Sequence, residues 1–208
     1  MPLSAVIHRR PLAAVILAGG ESSRMGAPKA LLPYRGRTFV EYLLKMTQHP
    51  RVSLTRIVVG AHSGEIRQKL GSFAALAVEN PDWQKGQLSS IQAAIRSLPA
   101  GGTEGMILCP VDHPIISTAL VAQLIDAFDS SSKPIVLPTF HGKRGHPVVF
   151  RSTLYDELLA ASPEVGARQV VWAHAADVLE IPTEEEGVIL NINDPATLDR
   201  ALHSQDDK

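Results

Sequence analysis

Between residues 12 and 137 short apolar runs alternate with stretches of helical period, and the order never breaks. Leu12–Ala18 reads as a buried strand, Thr38–Gln48 as a helix, Leu54–Val59 as a strand and Ser63–Leu70 as a short helix. Ala75–Val78 is the next strand, Ser89–Leu98 a helix, Met106–Pro110 a strand, Ser117–Phe128 a helix and Ile135–Leu137 a strand. A strand followed by a helix and another strand favours parallel pairing, so the alternation predicts a mostly parallel sheet with helices on both faces. Two helix starts carry capping-box spacing, Thr38 with Glu41 and Ser89 with Gln92. Beyond residue 140 the rhythm changes. Pro147–Phe150 is a short strand, Thr153–Ala161 and Ala167–His174 are helical, and Val178–Ile181 and Val188–Ile192 are strands in quick succession before a last helix, Ala196–Leu202. That succession predicts an antiparallel edge. One domain is expected over residues 1–203, with 204–208 a frayed tail.

The balance of 20 Lys+Arg against 21 Asp+Glu gives a net charge of −1 over 208 residues. No global field then favours nucleic acid or a membrane surface, so any anion site must be local. The single Cys109 excludes an internal disulfide framework and a cysteine-based zinc site, and within an apolar strand it reads as an inert core thiol. The eight histidines show no paired spacing on one helix, which argues against catalytic zinc. No apolar run approaches a membrane span. Arg9-Arg10 ahead of Leu12–Ala18 resembles the start of a twin-arginine signal, but the apolar stretch is short and glycines follow at once, so a cytoplasmic protein is expected. Glu184-Glu185-Glu186 reads as a solvated turn.

Open α/β sheets bind ligands at the carboxyl ends of their strands, which directs attention to the loop after the first one. It reads Leu17-Ala18-Gly19-Gly20-Glu21-Ser22-Ser23-Arg24-Met25-Gly26-Ala27-Pro28-Lys29. Gly19 and Gly20 allow positive φ and close backbone approach to a ligand, small and hydroxyl residues follow, and Arg24 and Lys29 add a planar fork and a mobile point charge. The glycines at 19, 20 and 26 miss the dinucleotide spacing G-x-G-x-x-G, and Gly26 lacks the following Lys-Ser/Thr of a P-loop. What remains is a phosphate loop carrying two separate cations; a tight turn with surface charges is the competing reading.

The pattern L-A-G-G-x-S-x-R-M-G-x-x-K-x-L-L resembles the signature of the MobA-like nucleotidyltransferases, which attach guanylyl or cytidylyl groups to the molybdenum cofactor. Further landmarks follow in order. Asn80-Pro81-Asp82-Trp83-Gln84-Lys85-Gly86 with Ser89-Ser90 resembles the base-pocket segment, and Pro110-Val111-Asp112-His113-Pro114 the metal-binding motif. Arg144-Gly145-His146-Pro147 and Gly166-Ala167-Arg168 resemble the acceptor side, and Leu190-Asn191-Ile192-Asn193-Asp194-Pro195 the closing motif.

The resemblance implies a three-layer, Rossmann-like fold of the nucleotide-diphospho-sugar transferase type. It also implies transfer of a nucleotide from a nucleoside triphosphate to a phosphorylated acceptor, with release of pyrophosphate. Arg24, Lys29 and Asp112 are then the catalytic candidates. Leu17, Ala18, Gly19, Gly20, Ser23, Asn80, Gly86, Ser89 and Ser90 would bind the nucleotide, and Arg144, His146 and Arg168 the acceptor. Mg²⁺ would be held by Asp112 and Asn193. Several relatives carry an aspartate where this chain has Asn193, with Asp194 one place later, which leaves the second ligand open. Ser89 and Ser90 read equally as helix caps, Trp83 as packing or stacking, Asp112 as a turn residue, and His141–Pro147 as a solvated hairpin. CTP is favoured by the acceptor-side segments and GTP by L-A-G-G and Asn191-Ile192-Asn193. Molybdopterin is the expected acceptor, with a molybdoenzyme or its chaperone as a possible protein partner. A sugar-phosphate nucleotidyltransferase and a non-catalytic nucleotide-binding or delivery module are the alternatives.

Overall fold

Strand β1 (Leu12–Ala18) is buried along its whole length, and its alternating side chains feed two cores. Leu12, Ile16 and Ala18 join one cluster, while Ala13, Val15 and Leu17 join the other. Such a run, apolar at every position, is what a strand covered on both faces requires. The computed structural model describes residues 9–203, so the expected tail at 204–208 lies outside the described residues.

After β1 a small hairpin, β2 (Pro33–Tyr34) and β3 (Arg37–Thr38), leads into α1 (Phe39–Met46), β4 (Val52–Val59) and α2 (Ser63–Leu70). Then come β5 (Ala77–Glu79), α3 (Gln87–Ser97), β6 (Gly105–Pro110), α4 (Thr118–Ser130) and β7 (Ile135–Phe140). The second half holds β8 (Lys143–Arg144), β9 (Val148–Arg151), α5 (Tyr155–Ala160), α6 (Arg168–Ala173), β10 (Val178–Pro182) and α7 (Pro195–His203). Helices α1, α2, α4 and α7 pack on one face of the sheet, and α3, α5 and α6 on the other. The three-layer arrangement is as expected.

The strands lie in the order β10-β7-β9-β6-β1-β4-β5, with β8 added to β7. β1 is parallel to β4 and β6, β4 to β5, and β7 to β10. β9 is antiparallel to both β6 and β7, so the antiparallel strand lies inside the sheet rather than at the expected edge. The cause is chain length. The short link from β7 through β8 allows only an antiparallel return, whereas β10 arrives after two helices and can pair in parallel. The strand expected over Val188–Ile192 is absent: Glu186–Val188 is a single 3₁₀ turn. The backbone there bonds to loops instead, with the His146 amide donating to the Val188 carbonyl (2.8 Å) and the Ile192 amide to the Asp112 carbonyl (2.8 Å).

The capping box at Thr38 and Glu41 forms as expected. The one expected at Ser89 does not, because α3 starts at Gln87 and Ser89 already lies within its first turn. At the amino-terminal edge of the sheet, Arg51 pairs with both carboxylate oxygens of Asp129 (2.8 Å each) and with Glu104 (2.9 Å). Arg151 reaches Glu104 (3.1 Å) and Arg9 reaches Asp129 (3.0 Å). Arg10 donates to the Gly101 carbonyl, so the Arg9-Arg10 pair clasps the folded body. Among the described residues no helix is long and apolar enough to cross a membrane.

Candidate active site

Parallel pairing of β1 with β4 and β6, and of β4 with β5, brings four strand ends to one edge. The Val111 amide extends the ladder by donating to the Leu17 carbonyl (3.0 Å), which fixes Asp112 beside the loop that leaves β1. A cleft of about 290 Å³ opens there. Its walls include Leu17, Ala18, Gly19, Gly20, Ser23, Arg24 and Lys29 from the first loop, Gly86 and Ser90 from the start of α3, Asp112, and Asn193.

The loop is shaped differently from its expected glycine turn. Positive φ falls on Ser22 (56°) and Gly26 (68°), not on Gly19 or Gly20. The Ser22 hydroxyl accepts from the Lys29 amide (3.0 Å) and the Ser22 carbonyl from the Met25 amide (2.9 Å), folding the loop back on itself. Gly19 instead serves close approach, because a Cβ there would press on the Ser90 hydroxyl. Gly60, at the end of β4, is the more demanding glycine: a Cβ would collide with the Gly19 carbonyl and with Trp83. Its smallness lets Trp83 pack beneath the loop and still line the cleft.

Lys29 Nζ donates to Asp112 Oδ2 (3.3 Å) and to Asn193 Oδ1. These two side chains lie 81 positions apart in the sequence, and the Ile192–Asp112 backbone bond holds them in register. The neighbouring Asp194 carboxylate accepts from the Thr197 amide (2.8 Å) and hydroxyl at the start of α7. Those hydrogen bonds, the amide first, hold its pKa below the usual carboxylate value. Asn193 lines the cleft, and Asp194 is committed to the helix. Two cations, Arg24 and Lys29, face one carboxylate in the cleft wall, so its local charge suits a polyphosphate.

Beneath the floor, Asn80 is buried and organises the base-pocket segment. Its Nδ2 donates to the hydroxyls of Ser89 (2.9 Å) and Ser90 (3.0 Å), and its Oδ1 accepts from the Asp82 amide (3.1 Å). The Ser89 hydroxyl lies 2.7 Å from the Gly86 carbonyl and 2.9 Å from that of Asp82. Asn80 and Ser89 therefore support the pocket, while Ser90 faces into it.

Comparison with known proteins identifies the family and the fold. Residues 14–178 match the MobA-like NTP transferase domain. The chain belongs to that family. A molybdenum cofactor guanylyltransferase of Xanthomonas euvesicatoria is 26% identical over 206 residues, covering 96% of this chain and 98% of the relative. Another relative is the nicotine blue oxidoreductase of Paenarthrobacter nicotinovorans, 31% identical over 189 residues, with 83% of this chain and 88% of that protein covered. The fold matches the crystal structure of Rv0371c from Mycobacterium tuberculosis with a TM-score of 0.79 at 23% identity, over 92% of this chain and 98% of that one. A crystal structure of Rv0371c in complex with manganese superposes with a TM-score of 0.73.

Within this family member the acceptor-side expectations meet a different geometry. Arg144 pairs with Glu180 (2.8 Å) across the β8–β10 margin, and Arg168 is exposed at the start of α6; neither lines the cleft. His146 is partly buried with its ring 4.8 Å from that of His113, and desolvation, helped by His113, pushes its pKa down to about 4. Burial likewise lowers the pKa of His113, which lies beside Asp112. Both shifts favour the neutral ring. Cys109 is a core thiol, pushed up to about 12 by burial. Among the described residues no cluster of three or more His, Cys, Asp or Glu could hold a metal ion.

Sequence reasoning missed Ser22, Gly60 and Glu185. Gly60 stood at the end of a predicted strand, where a glycine signals close approach of another backbone. Glu185 was hidden in an acidic run. Its carboxylate accepts from the Ser117 amide (2.9 Å) and the Ser117 hydroxyl, at the N-cap of α4, while Glu184 and Glu186 are exposed.

Proposed function

We propose that this chain is a Mg²⁺-dependent nucleotidyltransferase that moves CMP or GMP from the nucleoside triphosphate to a phosphorylated acceptor of the molybdopterin class. The observation that carries this reading is the convergence of Arg24, Lys29 and Asp112 on one cleft at the carboxyl edge of the sheet. An acceptor phosphate oxygen attacks the α-phosphorus, a new P–O bond forms, the bond from the α-phosphorus to the β-bridging oxygen breaks, and pyrophosphate leaves. Chemistry of this kind asks for positioning and neutralisation of charge.

Arg24, exposed at the rim, is placed to grip the β- and γ-phosphates with its planar fork. Lys29, rooted by the Ser22 hydroxyl, reaches the α-phosphate. Asp112 and Asn193 offer one carboxylate and one amide oxygen, a hard donor set that suits Mg²⁺ completed by phosphate oxygens and water. Mg²⁺ bound there supplies charge neutralisation across the polyphosphate. The backbone at Leu17–Gly20, with Ser90 and Trp83, forms the wall for the base. The Xanthomonas guanylyltransferase relative supports GTP, and a molybdenum cofactor cytidylyltransferase of Escherichia coli, 25% identical over 182 residues, supports CTP.

Pyrophosphate release, followed with CTP, GTP, UTP and ATP against a series of phosphorylated acceptors, tests the reading. Turnover with CTP or GTP on molybdopterin and loss of about 10²–10³ in rate for Lys29→Ala are expected. Turnover only on a sugar phosphate would change the acceptor. Nucleotide binding without pyrophosphate on any acceptor would favour a delivery module. An oxidoreductase activity, which the nicotine blue oxidoreductase relative raises, transfers electrons and releases no pyrophosphate.

A further inference from the structure

Lys29 does not hang free in the cleft. Its ammonium holds Asp112 Oδ2 and Asn193 Oδ1, the two protein oxygens assigned above to a divalent cation. The side chains of Lys29 and Asp112 are only 14% and 24% exposed, so the contact is partly shielded from water. An ammonium seated on these two oxygens opposes a divalent ion there: each oxygen keeps a second lone pair, but the two positive charges would repel across a few ångströms. The root of the lysine is fixed, because the Ser22 hydroxyl accepts from its amide, while the four-carbon stem above that root can swing. Arg24 differs, standing exposed at the rim where an arriving triphosphate meets it first.

We propose that Lys29 is the resident counter-ion of the metal-ligating oxygens, and that the phosphates of the nucleotide must draw it away before a divalent cation can take them. The inference rests on the metal reading of Asp112 and Asn193. Lys29 then carries two duties that exclude each other in time, guarding the carboxylate and afterwards neutralising phosphate. Nucleotide and metal bind in a coupled fashion, and a metal ion alone binds weakly.

Mn²⁺ titrated alone into the full chain, with free Mn²⁺ read by electron paramagnetic resonance, tests this without any turnover. Lys29→Met and Lys29→Gln, each checked for folding by circular dichroism, are expected to bind Mn²⁺ at least about fivefold more tightly than wild type, the fold-change that corresponds to release of a modest ion pair. Adding Asp112→Asn to Lys29→Met should abolish that gain. If either folded single variant binds Mn²⁺ no better than wild type, the proposal is overturned; if the gain survives Asp112→Asn, the ion sits elsewhere and the proposal falls with it. Should the transferase reading itself fail, pyrophosphate release would be absent, while the Mn²⁺ affinities of wild type and variants would still show whether Lys29 blocks the two oxygens.

Discussion

Asn80 does not line the cleft, yet three groups in the base-pocket segment depend on it. Its amide donates to Ser89 and Ser90 in buried bonds and accepts from the Asp82 amide in a partly buried one. Deleting one partner of a buried polar network leaves the others desolvated without compensation, which costs about 1–3 kcal/mol. Asn80→Ala should therefore lower the thermal midpoint. It should also weaken nucleotide binding, because Ser90 loses the contact that aims its hydroxyl. Differential scanning calorimetry and equilibrium nucleotide binding check the two effects; unchanged binding would remove Asn80 from any role in the site. The cations of the first loop, by contrast, were readable in the sequence, although its turn at Ser22 was not. Arg24, Lys29 and Asp112 all stand where the sequence pattern implied, because a loop after a parallel strand has one edge to occupy.

Among the elements, the segment from Glu185 to Asn193 acts as a strap across the Asp112 loop. Glu185 fastens one end to Ser117, the Val188 carbonyl accepts from the His146 amide, and the Ile192 amide bonds to Asp112 at the other end. Between them Gly187 passes so close to Ile115 that a Cβ would collide with its carbonyl oxygen. Glu185→Ala should slacken the strap, costing about 1.5–3 kcal/mol for a charged hydrogen bond, and raise the metal requirement through misplaced Asn193. Glu185→Gln keeps an acceptor for the Ser117 amide and should restore most of both. The Mg²⁺ dependence of pyrophosphate release, with urea unfolding alongside, separates the pair; equal behaviour of Ala and Gln would contradict the strap.

The strap also marks where sequence reading stops. Val188 and Ile192 are fully buried, so their apolar character was legible, but it came from plugging the core out of an irregular segment rather than from a strand. A glutamate between two other acidic residues signals solvation, and its partner Ser117 lies 68 positions away. Likewise Ser89 and Gln92 carry capping spacing, but the contacts of Asn80 and the Asp82 and Gly86 carbonyls claim the serine from outside the helix. The parallel core was legible because periodicity is local. The position of β9 was not, since it depends on how far each connection can travel.

Over the whole molecule, charged side chains gather at both ends of the sheet. The carboxyl edge carries the cationic cleft, and the amino edge carries the network of Arg51, Arg151, Arg9, Glu104 and Asp129. Burial alone would raise the pKa of Asp129, but the paired hydrogen bonds from Arg51, aided by Arg9, hold it below its ordinary 3.8. A carboxyl depressed in the folded state contributes stability that is complete above the unfolded pKa and is lost as pH falls through the folded value. Urea unfolding followed from neutral pH down to about pH 2.5 should thus show a loss below about pH 4 that Asp129→Asn reduces, the remainder coming from other depressed carboxyls such as Glu41 and Asp194. At neutral pH the same variant should be less stable by about 1.5–3 kcal/mol. A wild-type profile flat through that window would mean the network contributes nothing net. The proposed function belongs to the other edge, where two cations and a carboxylate line one cleft. The decisive measurement there is a crystal structure with a non-hydrolysable analogue of CTP or GTP and Mn²⁺. The polyphosphate is expected between Arg24 and Lys29, with the manganese anomalous peak on Asp112; phosphates bound away from all three side chains would contradict the proposed chemistry.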